Sequence, residues 1–360
     1  MSLCPAKSPC SSGACLCVSF KARTDYAVGS APNNLAVGDF NNDGHLDIVA
    51  VNEFSNSVSV LINTGSGSFL AQAVYHVGST PVGVAVGDFN NDGHLDIVTT
   101  SELDNTVSVL ISTGAGSFLP QAIYSVGSLP AEAAVGDFNN DGYLDIVASN
   151  VNDGTVSVLL GTGSGFQPQT TFAVGSGPWS VAVGYIDGDN YLDIVTSNYD
   201  ANTVSVLRGT GTGSFQSQNI YPAGPGPIGV ALEDFNGDGH LDIVSANLGT
   251  TTVSVLLGTG SGFQSQTTFN VGGGPSDIGV GDFNNDGHQD IVATNRNDNT
   301  VSVLLGTGLG AFQEQAVFPV GSVPIGVAVG NFNGDGYLDI ATADDVSDTV
   351  SVLLGNSCSA

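Results

Sequence analysis

Apolar and polar residues follow one another along this chain in short runs, and the runs recur in the same order. Between residues 33 and 77 they read NNLAVGDF, LDIVAVN, SVSVLIN and SFLAQAVYHV, separated by clusters of Gly, Asn, Asp and Pro. The runs are rich in β-branched residues and have no helical period, which is typical of β-strands. The pattern therefore predicts four strands in this stretch and an all-β protein.

One polar nonapeptide sets the length of the repeat. DFNNDGHLD at 39 recurs as DFNNDGHLD at 88, DFNNDGYLD at 137, YIDGDNYLD at 185, DFNGDGHLD at 234, DFNNDGHQD at 282 and NFNGDGYLD at 331, in steps of 48 or 49 residues. Seven near-identical units at a steady period indicate a single repeat architecture. Because four strands in each unit are typical of a propeller blade, we expect a seven-bladed β-propeller of four-stranded blades.

Two further motifs predict how the ring closes. VSVL begins at Val58, Val107, Val156, Val204, Val253, Val301 and Val350, and a Phe expected to open each fourth strand lies at Phe20, Phe69, Phe118, Phe166, Phe215, Phe263 and Phe312. The first Phe precedes the first nonapeptide, and none follows the last VSVL. Residues 18–28 are therefore expected to supply the outer strand of the last blade by pairing with VSVLL at 350–354, which removes an open sheet edge.

The resulting domain organisation is simple. We expect one propeller over residues 18–357, preceded by a Cys-containing segment at 1–17 and followed by a short tail at 358–360 that carries Cys358.

Composition narrows the class of partner. The chain has 360 residues, five Lys and Arg, 34 Asp and Glu and a formal charge of -29. Nucleic acid and anionic membranes need basic residues to neutralise phosphate, so both are excluded as partners, and cations are favoured. No apolar run of about 18 residues occurs, so membrane insertion is not expected.

The cysteines are confined to the two ends of the chain. Cys4, Cys10, Cys15, Cys17 and Cys358 are the disulfide candidates, and their clustering suggests an oxidising compartment and hence a secreted or cell-surface protein. A bridge from Cys358 to the N-terminal segment would lock the predicted seam. The spacing lacks the paired CxxC units of a zinc site. One thiol remains over, either free or linking two chains.

The nonapeptide has the donors of a calcium loop. Asp, Asn and Asp at positions 1, 3 and 5 offer side-chain oxygens, Gly at position 6 permits a sharp turn, position 7 offers its carbonyl, and Asp at position 9 completes the set, a spacing that suits calcium. Asn, Asp and Gly also form turns without a metal. Against that alternative, three carboxylates within nine residues would repel one another without a cation.

These motifs resemble the FG-GAP, or VCBS, repeat family, which includes the calcium-binding propellers of integrin α-chain heads. The resemblance covers about residues 18–357 and implies a propeller fold with about five to seven calcium ions. In the first loop it implies Asp39, Asn41, Asp43, the carbonyl of His45 and Asp47 as ligands. By the same offsets the other ligands are Asp88, Asn90, Asp92, His94, Asp96, Asp137, Asn139, Asp141, Tyr143, Asp145, Asp187, Asp189, Asp193, Asp234, Asn236, Asp238, His240, Asp242, Asp282, Asn284, Asp286, His288, Asp290, Asn331, Asn333, Asp335, Tyr337 and Asp339.

Two loops depart from the family pattern. In the fourth, Tyr185 replaces the first Asp and Asn190 replaces the Gly, and in the seventh Asn331 removes one charge. The occupancy of these two loops is left open.

A catalytic constellation is not visible. His45, His94, His240 and His288 share one loop position, His76 is isolated, and no Ser, Cys or His arrangement stands out from the repeat. We therefore expect a protein that is not an enzyme. A polysaccharide lyase or hydrolase is a less favoured alternative, for which Arg296 would be the one basic candidate.

The residues that break the repeat are the candidates for ligand binding. Phe54, Trp179, Tyr199 and Arg296 are expected on one rim, in the links opposite the acidic loops, together with Glu53, Glu102, Asp104, Asp153, Asp200, Asp298 and Asp345. Aromatic rings beside acids and amides can bind sugars or proteins, although solvated loop tips have the same composition. The sequence thus favours a binding or adhesion module for a glycan or an extracellular protein. The alternative is a structural subunit of a surface layer or fibre, which would self-assemble.

Overall fold

The structure is a computed structural model that describes residues 17–357. Every regular element in this range is a β-strand. The predicted segment 1–17, except Cys17, and the tail 358–360 lie outside the described residues, and so do the candidates Cys4, Cys10, Cys15 and Cys358. The disulfide pairings therefore stay a prediction.

The 28 strands of the described chain form seven sheets of four, and the N-terminal strand, β1 Thr24–Ala27, belongs to the last of them. Blade 1 contains β2 Pro32–Gly38, β3 Asp47–Asn52, β4 Ser57–Leu61 and β5 Ala73–His76, and blade 2 contains β6 Pro81–Gly87, β7 Asp96–Ser101, β8 Thr106–Leu110 and β9 Ala122–Ser125. Blade 3 contains β10 Pro130–Gly136, β11 Asp145–Asn150, β12 Thr155–Leu159 and β13 Thr170–Ala173, and blade 4 contains β14 Pro178–Gly184, β15 Asp193–Asn198, β16 Thr203–Leu207 and β17 Asn219–Pro222. Blade 5 contains β18 Pro227–Glu233, β19 Asp242–Asn247, β20 Thr252–Leu256 and β21 Thr267–Asn270, and blade 6 contains β22 Pro275–Gly281, β23 Asp290–Asn295, β24 Thr300–Leu304 and β25 Ala316–Pro319. Blade 7 contains β26 Pro324–Gly330, β27 Asp339–Asp344 and β28 Thr349–Leu353, and β1 is its fourth strand.

The ring closes through the N-terminal strand, as the motif count predicted. β1 pairs antiparallel with β28, with Thr24 opposite Val352 and Ala27 opposite Thr349. The first strands of neighbouring blades contact one another around the whole ring, including β2 against β26. The seven-bladed, four-stranded propeller is therefore confirmed, and blade 7 is a direct neighbour of blade 1.

The hydrophobic core lies between blades and has no single centre. All six residues of each second strand are buried, and the third strands are buried apart from their first residue in most blades. The fourth strands are exposed apart from one or two half-buried residues each, because only one face of an outer strand packs on a neighbour. The apolar runs of the sequence correspond to these buried middle strands.

The fourth strands begin later than predicted. Phe69 makes only an isolated bridge with Asn63, and β5 starts at Ala73. The reason is packing: the Phe69 ring stands against Phe332 of the neighbouring blade 7, at a centroid distance of 5.6 Å and an angle of 75°. Phe118 packs in the same way on Phe40. This Phe therefore joins two blades before the strand begins.

The antiparallel blades give the propeller two different faces. The acidic loops, between first and second strands, and the loops between third and fourth strands lie on one face, which we call the acidic face. The links between second and third strands and those from one blade to the next lie on the opposite face, the link face. The two kinds of link contact each other, as Glu53 N donates to Ala31 O at 2.9 Å.

Candidate functional site

Each acidic loop is a tight turn whose side-chain oxygens point back to its own backbone. In the first loop Asp43 N donates to Asp39 Oδ1 and to Asn41 Oδ1, both at 3.1 Å, and Gly44 N donates to Asp39 Oδ2 at 2.7 Å. His45 N donates to Asp43 Oδ1 at 2.9 Å. These contacts recur in blades 2, 3, 5 and 6. The oxygens at positions 1, 3 and 5 thus converge on one turn.

Two loop positions adopt the left-handed conformation. Position 4 has Asn42 at φ 58° and position 6 has Gly44 at φ 86° in the first loop. Asn tolerates this region better than other non-glycine residues. In the fourth loop Asn190 occupies position 6 at φ 68°, so the loss of Gly has not changed the turn.

The Asp at position 9 joins three strands of its blade. Asp47 is fully buried, and its Oδ2 accepts from Phe40 N at 2.9 Å while Oδ1 accepts from Asn63 N at 2.8 Å. Burial raises the pKa of Asp47 to about 6, the two backbone hydrogen bonds oppose that shift, and the charges of Asp43 and Asp39 add to it. The carboxylate at position 9 therefore connects the ends of the first three strands in every blade, whether or not it also binds an ion.

Calcium in these loops stays a prediction. Counting only His, Cys, Asp and Glu side chains, no three within residues 17–357 are grouped as a metal centre. Six of the seven loops also offer an Asn side-chain oxygen at position 3, and every loop has a backbone carbonyl at position 7; both kinds of oxygen suit calcium.

An orphaned oxygen in the seventh loop supports the fit to a cation. Asn331 Oδ1 is buried and has no hydrogen-bond partner among the described residues. Asp335 N donates to Asn333 Oδ1 at 2.9 Å. A buried acceptor without a partner costs about 1–3 kcal/mol, and an ion at this place would remove that cost. The donor set of the loops therefore fits a hard cation.

A basic side chain from the end of the third strand of blade 4 reaches the fourth acidic loop. Arg208 is 5% exposed, and its Nη1 lies 3.1 Å from Asp193 Oδ2 and 3.8 Å from Asp187 Oδ2. The other six blades have Ile or Leu at this position, at Ile62, Ile111, Leu160, Leu257, Leu305 and Leu354. Arg208 was not predicted as a site residue, although a charge at a position that is apolar in every other blade was a visible signal.

The link face places the four predicted ligand residues on three blades. Phe54 is 72% exposed on blade 1 and Tyr199 is 39% exposed on blade 4. Trp179, also on blade 4, packs partly against the cluster that contains Ile228, and Arg296 is half-buried on blade 6. Phe54, Tyr199 and Arg296 lie in second-to-third links on three different blades, whereas Trp179, which was predicted in a link, belongs to the inner strand β14 and faces the axis of the ring.

The centre of the link face leads to an axial cavity of about 30 Å³, lined by Asn34, Glu132, Trp179 and Asp277 among others. Asn34 Nδ2 donates to Glu132 Oε2 at 2.5 Å. Burial, and then the Asp277 charge, raises the pKa of Glu132 to about 8, and burial raises that of Asp277 to about 6. No Lys, Arg or His lies on the seven inner strands, so the axis has two enclosed acids without a basic partner.

Glycines on the inner strands let neighbouring blades approach closely around the axial cavity. A Cβ at Gly229 would lie 2.7 Å from Asp277 Cα, and one at Gly326 would lie 2.8 Å from Asn34 Cα. The glycine in one inner strand therefore leaves the space into which the neighbouring strand, with its polar residue, can pack closely. Glu132 and Asp277 were not predicted as site residues, because they come together only when the ring is closed.

Comparison with known proteins establishes the class. Residues 39–99, 88–148, 137–196, 186–245, 234–293 and 282–342 match the FG-GAP-like repeat. The chain belongs to this repeat family and is an FG-GAP-repeat β-propeller. No curated protein matches the chain.

Solved structures share the fold at low identity. BBS1N in complex with ARL6DN is 12% identical with a TM-score of 0.67, and the match covers 94% of this chain and 96% of that one. An inactive virginiamycin B lyase from Staphylococcus aureus with quinupristin is 15% identical with a TM-score of 0.64, covering 93% and 99%. Hydrazine synthase of Kuenenia stuttgartiensis is 15% identical with a TM-score of 0.66, covering 91% and 96%. Within residues 17–357 there is no helix that could cross a bilayer.

Proposed function

We propose that this propeller is a secreted or cell-surface, calcium-stabilised binding module that recognises an extracellular protein through its link face. One observation carries the proposal: the two faces differ in how far they depart from the repeat. The acidic loops are nearly identical, whereas the first residues of the second-to-third links are Glu53, Glu102, Val151, Tyr199, Leu248, Arg296 and Asp345. Variable residues on a rigid scaffold are the usual arrangement of a binding surface.

In this proposal calcium stabilises the propeller and does not contact the partner. The side chains at positions 1, 3, 5 and 9 of the loop and the carbonyl at position 7 would hold the ion, which supplies positive charge between carboxylates. The orphaned Asn331 Oδ1 and the guanidinium of Arg208 both support a cation requirement at these loops. Because Arg208 already supplies a positive charge beside Asp187 and Asp193, and Tyr185 removes the first carboxylate of this loop, we propose five or six calcium ions and none in blade 4.

The proposed role is non-catalytic. Enzymes and a protein-binding propeller both occur among the structural neighbours, so the shared fold does not decide the matter. His76 is exposed at the end of β5, and the other four His residues lie in acidic loops where Tyr also occurs. These positions do not provide a base beside a nucleophile. The BBS1N structure, a propeller in complex with a protein, supports a protein partner for this chain.

A glycan is the second candidate ligand, favoured by one observation. Trp179 lines the axial cavity together with Asn34 and Glu132, and Tyr199, in a link of the same blade, offers a second aromatic ring that is 39% exposed. Aromatic surface next to acids and amides is suited to sugars.

The test maps binding onto one face. The purified chain in millimolar calcium is screened against a glycan array and against a displayed library of extracellular protein domains. Each ligand is then retested on Trp179→Ala, Tyr199→Ala and Phe54→Asn, with Leu309→Asn as matched control, since Leu309 is 79% exposed in a third-to-fourth loop on the acidic face. We expect binding to fall at least tenfold with one link-face variant and to be unchanged with Leu309→Asn. Binding that depends only on Leu309, or no ligand of either class, would contradict the proposal.

A further inference from the structure

Three consecutive blades differ from the other four at one position of the link face. The second residue of the second-to-third link is Val346 in blade 7, Phe54 in blade 1 and Leu103 in blade 2, and these side chains are 65%, 72% and 70% exposed. The corresponding residues in blades 3 to 6 are Asn152, Asp200, Gly249 and Asn297. Because β1 closes the ring between blades 7 and 1, the three apolar side chains form one arc, which we call the crescent. Grouped exposed apolar side chains are typical of interaction sites.

Acidic side chains follow the same three blades. The residue before each apolar one is Asp345, Glu53 or Glu102. Burial, and then the charge of Glu53, raises the pKa of Glu102 to about 7, and burial raises that of Glu53, with Asp345 adding to it. Asn33 Nδ2 donates to Glu53 Oε2 at 3.2 Å. The three carboxylates therefore repel one another along the inner edge of the crescent.

A basic side chain lies near these acids only at the blade 7 end of the crescent. Arg296 of blade 6 lowers the pKa of Asp345, against the larger effect of burial. The described chain has only three other Lys or Arg residues, and Lys21, Arg23 and Arg208 each pair with an Asp elsewhere. The crescent thus combines apolar surface with three carboxyl groups, of which only Asp345 has a basic residue nearby, so a cationic partner would stabilise their ionised forms.

The backbone holds the crescent rigidly. Phe54 N donates to Ser30 O and Val346 N donates to Ser322 O, both at 3.2 Å, and Glu102 N donates to Thr80 O at 3.1 Å. Side-chain contacts join the blades as well, since Asn56 Oδ1 accepts from Thr80 N at 2.9 Å. A rigid surface loses little entropy when a partner binds.

Backbone strain is also found on this side of the ring. The residue before the first Pro of each blade has a positive φ, and in blades 4, 5 and 6 it is Gly177, Gly226 and Gly274. In blades 7, 1, 2 and 3 it is Val323 at 57°, Ala31 at 55°, Thr80 at 52° and Leu129 at 55°. A β-branched residue in this region is unusual and costs about 1–3 kcal/mol. The carbonyls of Val323, Ala31 and Thr80 accept the hydrogen bonds of the crescent acids' backbones, and strain of this kind concentrates at functional sites.

We propose that the crescent is a docking surface for a basic amphipathic segment of a protein partner, whose apolar side chains cover Val346, Phe54 and Leu103 and whose Lys or Arg residues pair with Asp345, Glu53 and Glu102. Charge complementarity decides the occupant. A second copy of the chain would bring a formal charge of -29 and five Lys and Arg residues, and an anionic membrane would be repelled. The proposal rests on the binding function proposed above and specifies its partner.

The experiment selects ligands without naming them beforehand. The full chain, biotinylated and in millimolar calcium, is panned against a displayed library of random 12-residue peptides, and the selected peptides are synthesised and their Kd values measured. The key variant is Phe54→Asn combined with Leu103→Asn, which gives these links the residue type found in blades 3 and 6 and keeps the net charge. Leu309→Asn on the acidic face is the matched control.

Selected peptides should combine Lys or Arg with apolar residues. Their binding should weaken at least tenfold with the double variant, about threefold or more with Glu102→Gln at low salt, and not at all with Leu309→Asn. Basic peptides that bind the double variant as tightly as the wild type would show non-specific attraction to an acidic protein and would overturn the proposal.

Other outcomes separate this inference from the binding function. Peptides that depend on Trp179 and Tyr199, and not on the crescent, would refute the crescent and leave the link-face function intact. A dimer that sedimentation detects and Phe54→Asn abolishes would assign the crescent to self-association and refute the proposed partner. Selection of no peptide below about 100 μM would also overturn the crescent, while the glycan and domain screens would still decide the function.

Discussion

Arg208→Leu tests whether an internal guanidinium has replaced an ion in blade 4. The substitution restores the residue type found at Leu160, Leu257 and Leu354 in other blades. It leaves Asp193, which is fully buried, with two backbone donors, Ile186 N at 3.0 Å and Gly209 N at 2.8 Å, and with no cation.

The structure sets the expected magnitude. Removing one member of a buried ion pair costs about 3–5 kcal/mol. The new Leu side chain occupies an apolar site used by other blades and recovers about 1–2 kcal/mol by burial. We therefore expect the free energy of unfolding to fall by about 2–3 kcal/mol. A loss of that size lowers Tm by about 3–4 °C in a protein of this length, because the unfolding entropy grows with the number of residues.

The assay is urea denaturation in millimolar calcium and again in excess chelator. Because Tyr185 leaves the fourth loop without its first carboxylate, added calcium should not rescue Arg208→Leu, and the loss should be equal in both conditions. Arg208→Lys is the control, since it keeps the charge and should lose less. A change below about 0.5 kcal/mol for Arg208→Leu in chelator would refute the reasoning.

Three further predictions concern the axis, the backbone strain and the seam. Because the pKa of Glu132 is about 8 in the native state and near 4.5 in the unfolded state, only the native state holds the proton between these values, and the free energy of unfolding should fall as pH rises from 4.5 to 8. Glu132→Gln should therefore become about 1–3 kcal/mol more stable relative to the wild type between pH 5 and pH 8 in saturating calcium. The same stability difference between variant and wild type at both pH values would refute the raised pKa. Thr80→Gly should raise the free energy of unfolding by about 0.5–1 kcal/mol in urea, because Thr80 has φ 52°, and a loss would mean that the strain is absent. Phe20→Ala should lower the free energy of unfolding by about 2–3 kcal/mol, because the Phe20 ring centroid lies 4.8 Å from that of Phe318 and joins the N-terminal segment to blade 6. A melting curve like that of the wild type would argue against ring closure through this segment.

The repeat explains why so much of the fold could be predicted. Seven copies of each motif gave the number of blades, and the displaced first Phe20 gave the ring closure, because a missing outer strand at one end requires a spare one at the other. The start of the fourth strands was predicted too early. Phe69 belongs to a contact with Phe332, which lies 263 positions away, and a strand pattern does not record a contact between blades.

The candidate residues were predictable where the repeat, or a visible departure from it, marks their positions. The acidic loops were located from the spacing of the nonapeptide. The link-face candidates were located as residues that differ from the repeat. Glu132 and Asp277 were missed because the inner strands read as ordinary apolar runs, and their acids share an axial cavity only after the ring closes. The crescent was missed for the same reason, since Val346 becomes a neighbour of Phe54 through the seam that β1 forms.

The number of calcium ions per chain is the most direct test of the account. Equilibrium dialysis against millimolar calcium, followed by elemental analysis, measures it, and melting curves in calcium and chelator show whether the ions stabilise the ring. The account predicts five or six ions, none lost in Arg208→Leu, and a Tm that falls by more than about 10 °C on chelation, since several bound ions contribute together. No bound calcium, with the same Tm in both solutions, would contradict the account.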